Sequence, residues 1–254
     1  MELVPVLDIM QGRLVRGVGG RRELYRPNVS CLTPGADPVE TCQAIRKAFQ
    51  PQWFYVADLD AIQTGAPPSL LVSALAECGT SLAVDAGVST VAEAEAVLAL
   101  GATRVIIGLE SLTDLKMLEP LVDAIGTDRL IFSLDLRDGR PVGPAAANLH
   151  PMHVVDSVLR IGLHHLIVLE FTNIGSSRGV QTASFCHSVK DRRADVILWT
   201  GGGVRDVADL MRLQLNRLDG AMVASALHDG KITPNDWQSF QAMDSDAILQ
   251  AIDA

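Results

Sequence analysis

The chain has 254 residues, 48% of them hydrophobic, and a formal net charge of −9. That length suits one large α/β barrel or two small domains, and the apolar content supplies a core, which excludes a disordered chain. The negative balance comes without any block of like charge, so nothing favours nucleic acid or an anionic membrane as a partner, although a small anionic substrate needs only a local pocket.

Cys31, Cys42, Cys78 and Cys186 form no Cys-x-x-Cys pair and read as reduced structural thiols. The start MELVPVLDIMQGR has no basic leader, and no apolar run reaches the ~18 residues of a membrane span. The expectation is a cytoplasmic enzyme or binding protein, without cofactor or metal.

In chain order, short apolar runs alternate with longer amphipathic ones. LVPVLDI precedes the helical DPVETCQAIRKAF, WFYVADL precedes PSLLVSALAEC, and SLAVD precedes TVAEAEAVLALG. The alternation continues through TRVIIG, LTDLKMLEPLVDAIG, RLIFSLDLR, PMHVVDSVLRIG, HLIVLEF, VQTASFCHSVK, DVILWT, VADLMRLQLN and DGAMVAS. These are about eight strands, too uniformly apolar to have a wet face, as in a parallel sheet covered by helices. About eight strand-helix units at this length predict one (β/α)₈ barrel domain over residues 1–254. The longest irregular pieces, Gly17 to Asp37 and Asp138 to Pro151, follow the first and fifth strands and are candidate active-site loops.

The two halves echo each other. Asp8 in PVLDI matches Asp135 in FSLDL, Asp58 in YVADL matches Glu170 in IVLEF, Gly87 in DAGVS matches Gly203 in GGGVR, and Gly108 matches Ala224. The expectation is two half-barrels, about 1–126 and 127–240, with a C-terminal extension 241–254.

In such a barrel the C-terminal strand ends form the site. Asp8 and Asp135 then face each other from strands 1 and 5, and two carboxyls in different surroundings can serve as acid and base. Gly201, Gly202 and Gly203 lead into a helix, and Ala224 and Ser225 open a short helical turn after strand 8. Backbone N–H groups there can approach a phosphate. Ser176, with Ser177 and Arg178 in the loop after strand 6, is a further phosphate candidate, and Arg13 and Arg16 are within reach of a substrate anion. Asp58 and Glu170, ending strands 2 and 6, join Arg16 and Asp85 as substrate-contact candidates. In the first half, Asp85 and Gly108-Leu109-Glu110 put carboxylates and a bulky apolar residue where the second half has glycines and small residues. A phosphate there costs several kcal/mol unless cations intervene or the carboxyls are protonated. His150 and His153 start a helix and read as structural rather than metal ligands, as do His164 and His165 at the start of strand 6.

The segments PVLDIMQGRLVR, VADLDA, SLDLRDGR, GGGV and ASALHDG, in this order over about residues 2 to 240, resemble the histidine-biosynthesis (HisA/HisF) barrel family. The resemblance implies an isomerase in which Asp8 and Asp135 catalyse the rearrangement of an aminoaldose to an aminoketose, one protonating the ring oxygen while the other removes the C2 proton. It also implies a substrate with two phosphates. The chain departs from the family isomerase in DAGVS after strand 3, where that isomerase has a Gly-Gly-Gly-Ile-Arg-type turn. It departs again at Leu109 after strand 4, and at Leu169 before Glu170, where a Thr precedes the acidic residue. The expectation is a diverged relative, an isomerase or lyase acting on a small, singly phosphorylated sugar or amino-sugar. The alternatives are a genuine histidine-pathway ribotide isomerase, or a non-catalytic protein that kept a ligand seat. Ion-paired aspartates with no cavity between them would favour the last.

Overall fold

The computed structural model describes residues 1–175 and 179–253. Eight parallel strands form its centre: β1 (Glu2–Met10), β2 (Trp53–Asp58), β3 (Ser81–Asp85), β4 (Arg104–Gly108), β5 (Leu130–Arg137), β6 (His165–Glu170), β7 (Ile197–Gly201) and β8 (Gly220–Val223). Each pairs with the next, and β8 closes on β1 in the register Glu2↔Gly220 to Pro5↔Val223. Helices α1 (Pro38–Phe49), α2 (Leu71–Ala76), α3 (Val91–Ala99), α4 (Leu118–Ile125), α5 (Pro151–Arg160), α6 (Ala183–Arg192), α7 (Val207–Leu215) and α8 (Pro234–Gln241) follow the strands in turn, and α9 (Ser245–Asp253) ends the described chain. This is the expected (β/α)₈ barrel.

Local chemistry starts the helices. Asp37 accepts the Glu40 N–H ahead of α1, whose first residue is Pro38, and Thr90 with Glu93 forms a reciprocal capping box at α3. Among the described residues no helix is long and apolar enough to cross a membrane.

Side chains alternate along each strand, which produces two apolar cores. Phe54, Val56, Leu82, Val84, Phe132 and Leu134 point outward beneath the helices. Val4, Tyr55, Ala83, Ile106, Ile131, Ile167, Trp199 and Met222 point inward and fill the barrel. At the floor, Trp53 and Trp199 meet edge-on at 5.8 Å, Arg104 lies 4.7 Å from the Trp53 ring, and His165 bonds to Arg104. Burial, helped by the Arg104 charge, lowers the His165 pKa to about 3, so this imidazole is neutral and structural.

The half-barrel echo is also conformational. β1 and β5 each end in a two-residue reversal with both φ values positive, Gln11 (52°) with Gly12 (70°) and Asp138 (52°) with Gly139 (73°). Short strands Arg13–Arg16 and Arg140–Pro141 return antiparallel to β1 and β5.

Candidate active site

A cavity of about 370 Å³ opens at the C-terminal ends of the strands. Asp8, Asp85 and Asp135 all line it, because each occupies an inward position: Asp8 continues Val4 and Val6, Asp85 continues Ala83, and Asp135 continues Ile131 and Ser133. Across from Asp85, Gly202 and Gly203 follow β7, four strands round the barrel, and Ala224 and Ser225 follow the neighbouring β8; all four line the same cavity.

Neither Asp8 nor Asp135 has an ion pair among the described residues, and both open on the cavity. Asp135 is 4% exposed and takes the Ser133 hydroxyl on Oδ1 at 2.7 Å. Burial, reinforced by the nearby Glu110 charge, pushes its pKa well above the carboxylate range. Asp8 is half-buried; burial raises its pKa to about 7, against the opposing pull of Arg22.

The turn after β7 demands glycine. Gly202 and Gly203 have φ of +81° and +101°, and a Cβ on Gly203 would stand 2.6 Å from the Gly179 carbonyl oxygen. Ser225 begins the short helix Ser225–His228, so the N–H groups of Ser225 and Ala226 have no intrahelical acceptor and are available to an anion. Ser176, Ser177 and Arg178 lie outside the described residues.

The corresponding turn after β3 is already filled. Asp85 Oδ1 accepts the Gly87 N–H at 3.0 Å, occupying the backbone donor that an anion would use. Its Oδ2 lies 3.4 Å from the Tyr55 hydroxyl, and burial raises the Asp85 pKa to about 6, with the Gly87 N–H working against that rise. A cation does intervene: Arg22, from the loop after β1, bonds Glu110 at 2.7 Å, and its charge also works against the rise at Asp85. Leu109 is fully buried in the outer core and is absent from the cavity wall, so it does not obstruct the seat as its sequence position suggested.

Two substrate-contact candidates are elsewhere. Asp58 and Glu170 share the outward parity of Val56 and Val168, and neither lines the cavity. Asp58 accepts the N–H groups of Ala61 and Ser69 at 3.1 and 2.6 Å. Glu170 accepts those of Asp138, Gly139 and Thr172, and its burial is outweighed by these bonds, which hold its pKa below the usual value. Both are loop clamps. In the second half Glu170 performs alone what Asp58 and Asp60 share in the first, where Asp60 holds the hairpin turn through the Gln11 N–H. Arg16 does reach the cavity rim, but its guanidinium is paired with both oxygens of Asp229 at 2.7 and 2.6 Å.

Arg22, Tyr25 and Tyr55 line the candidate site and were missed by sequence reasoning. Tyr55 had a usable signal, since it sits at the inward parity of β2. Arg22 had none beyond lying in the loop after β1. His150 caps α5 through the Met152 N–H, and among the described residues no three His, Cys, Asp or Glu side chains are grouped to hold a metal.

Residues 2–233 match the family model described as histidine biosynthesis protein. A relative from Syntrophomonas wolfei is 27% identical over 243 residues, covering 91% of this chain and 95% of its own. One from Thermus thermophilus is 27% identical over 239 residues, with 91% and 96% covered, and one from Opitutus terrae is 29% identical over 256 residues, with 95% and 99% covered. All three are named as imidazole-4-carboxamide isomerases whose full names contain two phosphoribosyl groups.

Proposed function

The chain belongs to the histidine biosynthesis protein family and is an isomerase of that family, and from that premise we propose that it isomerises a singly phosphorylated sugar or amino-sugar by proton transfers to and from the substrate, with Asp135 as acid and Asp8 as base. The observation carrying this reading is that one cavity has an intact backbone seat at Gly202, Gly203 and Ser225 while Asp85 itself takes the Gly87 N–H of the matching seat.

The two carboxyls divide the work by environment. Asp135, nearly fully buried and beside Glu110, retains its proton and is the general acid; Asp8, half-buried and drawn down by Arg22, is the base. Asp135 protonates the ring oxygen of the aminoaldose as the C1–O bond breaks, leaving a C1=N iminium. Asp8 then removes the C2 proton, and the electron pair of that C–H bond becomes the C1=C2 bond as the iminium pair returns to nitrogen. Return of a proton to C1 and loss of the C2 hydroxyl proton give the aminoketose. Phosphate held at Gly203 and Ser225 fixes C1 and C2 between the carboxyls without taking part in the proton transfers.

Asn at either aspartate should lower kcat by about 10²–10⁴-fold while leaving the affinity for inorganic phosphate within about twofold. Because Asp8 must be ionised to act as base, kcat/KM should climb as pH rises through about 7.

The relatives' names favour a second reading, a ribotide isomerase with a two-phosphate substrate. Growth rescue of an isomerase-deficient histidine auxotroph separates the two. The one-phosphate reading expects well-expressed protein to give no rescue, whereas rescue at ordinary expression establishes the second reading.

A further inference from the structure

The end of the cavity remote from Gly203 is chemically distinctive. Gly108 lies between carboxyls: a Cβ there would be 3.5 Å from Asp135 Oδ2, 3.6 Å from Asp85 Oδ2 and 3.9 Å from Glu110 Cγ. Asp85 and Asp135 are 8% and 4% exposed, and among the described residues no side chain donates to Asp135 Oδ2. Among the described residues the guanidinium close by is that of Arg22, which bonds Glu110 and whose charge also draws down Asp8 and Asp85. Four carboxyls, those of Asp8, Asp85, Glu110 and Asp135, therefore line this part of the cavity around the Arg22 guanidinium, and buried carboxyls in such excess are costly unless they are protonated or a ligand supplies the charge.

We propose that Asp85 is a specificity-determining residue that seats a positively charged nitrogen of the substrate in the cavity beside Asp85 and Glu110, across the barrel from the phosphate. Its Oδ1 is fixed by the Gly87 N–H, which leaves Oδ2 toward the cavity, where it accepts the Tyr55 hydroxyl at 3.4 Å and keeps a further acceptor site. The second Glu110 oxygen, unbonded among the described residues, adds another acceptor, and Asp135, which keeps its proton for catalysis, offers only a neutral carboxyl beside it. The same carboxylate repels a second phosphate, so one residue both excludes the anion and selects the cation. An ammonium or amidinium group fits these acceptors, and a neutral hydroxyl leaves the charge uncompensated.

This proposal rests on the one-phosphate reading, and a single titration series tests both. The probes are inorganic phosphate, and linear alkyl phosphates of graded length ending in either an amine or a hydroxyl, measured by calorimetry at pH 7 on the wild type and Asp85→Asn. Asn keeps an acceptor for the Gly87 N–H and removes only the charge. The expected result is that the best amino probe binds at least about tenfold more tightly than its hydroxyl counterpart, a difference of about 1.4 kcal/mol. In Asp85→Asn that preference should shrink to within about twofold, with phosphate affinity unchanged. Equal binding of amino and hydroxyl probes at every length, or a preference that survives in a folded Asp85→Asn, overturns the proposal. If phosphate itself does not bind, the one-phosphate reading fails instead.

Discussion

Asp8 illustrates how function at one residue acts against stability. The unfolded chain releases this proton near pH 4 and the folded chain near pH 7, so between those values the native state holds more protons and stability falls as pH rises. The penalty is fully present above about pH 7 and absent below about pH 4. Asp8→Asn should therefore raise stability above pH 7 by about 1–2 kcal/mol, discounted from the full shift because the carboxyl opens on a wet cavity. That is about 2–8 °C in Tm for a chain of this size. Thermal melts of both proteins at pH 8 and pH 4 check it; an equal Tm difference at the two values contradicts the ionisation argument. Leu109 shows the opposite balance. It reads as a block in the phosphate seat because it follows Gly108, yet it packs outward, so Leu109→Ala should cost about 2–5 kcal/mol and leave phosphate affinity unchanged.

At the scale of elements, parity separates residues that work on the ligand from those that hold the loops. Position near a strand end was visible in the sequence, and it grouped Asp58 and Glu170 with Asp8, Asp85 and Asp135. The pleat divides them: Tyr55 and Ala57 face the barrel interior, so the next residue, Asp58, must face away. Counting the period from the apolar run of β2 could have made that distinction. Asp58→Ala removes the acceptor for the Ala61 and Ser69 N–H groups and should lower stability by about 1–3 kcal/mol with kcat unchanged. A folded variant that loses turnover instead would put Asp58 back in the catalytic site. The hairpins after β1 and β5 were partly legible, since Gln11-Gly12 and Asp138-Gly139 occur at matching places in MQGR and RDGR.

For the whole molecule, the barrel followed from features that recur along the chain: uniformly apolar strands, amphipathic helices between them, and four matched strand ends. Closure repeats one local rule eight times, so an error in any single element could not have hidden it. The site depends on singular contacts. Arg22 meets Glu110 only because the loop after β1 folds back over the barrel mouth, with the Gly19 N–H donating to the Ile174 carbonyl. No periodicity encodes such a meeting. The resulting cavity is asymmetric, with an open backbone seat beside β7 and β8 and a self-satisfied, carboxyl-lined turn beside β3.

A crystal structure of the protein with bound inorganic phosphate would show this asymmetry at both turns. Phosphate density is expected against the N–H groups of Gly203 and Ser225, with an intact bond from the Gly87 N–H to Asp85. Phosphate at Gly87 and Gly108, with Asp85 swung away, would contradict it.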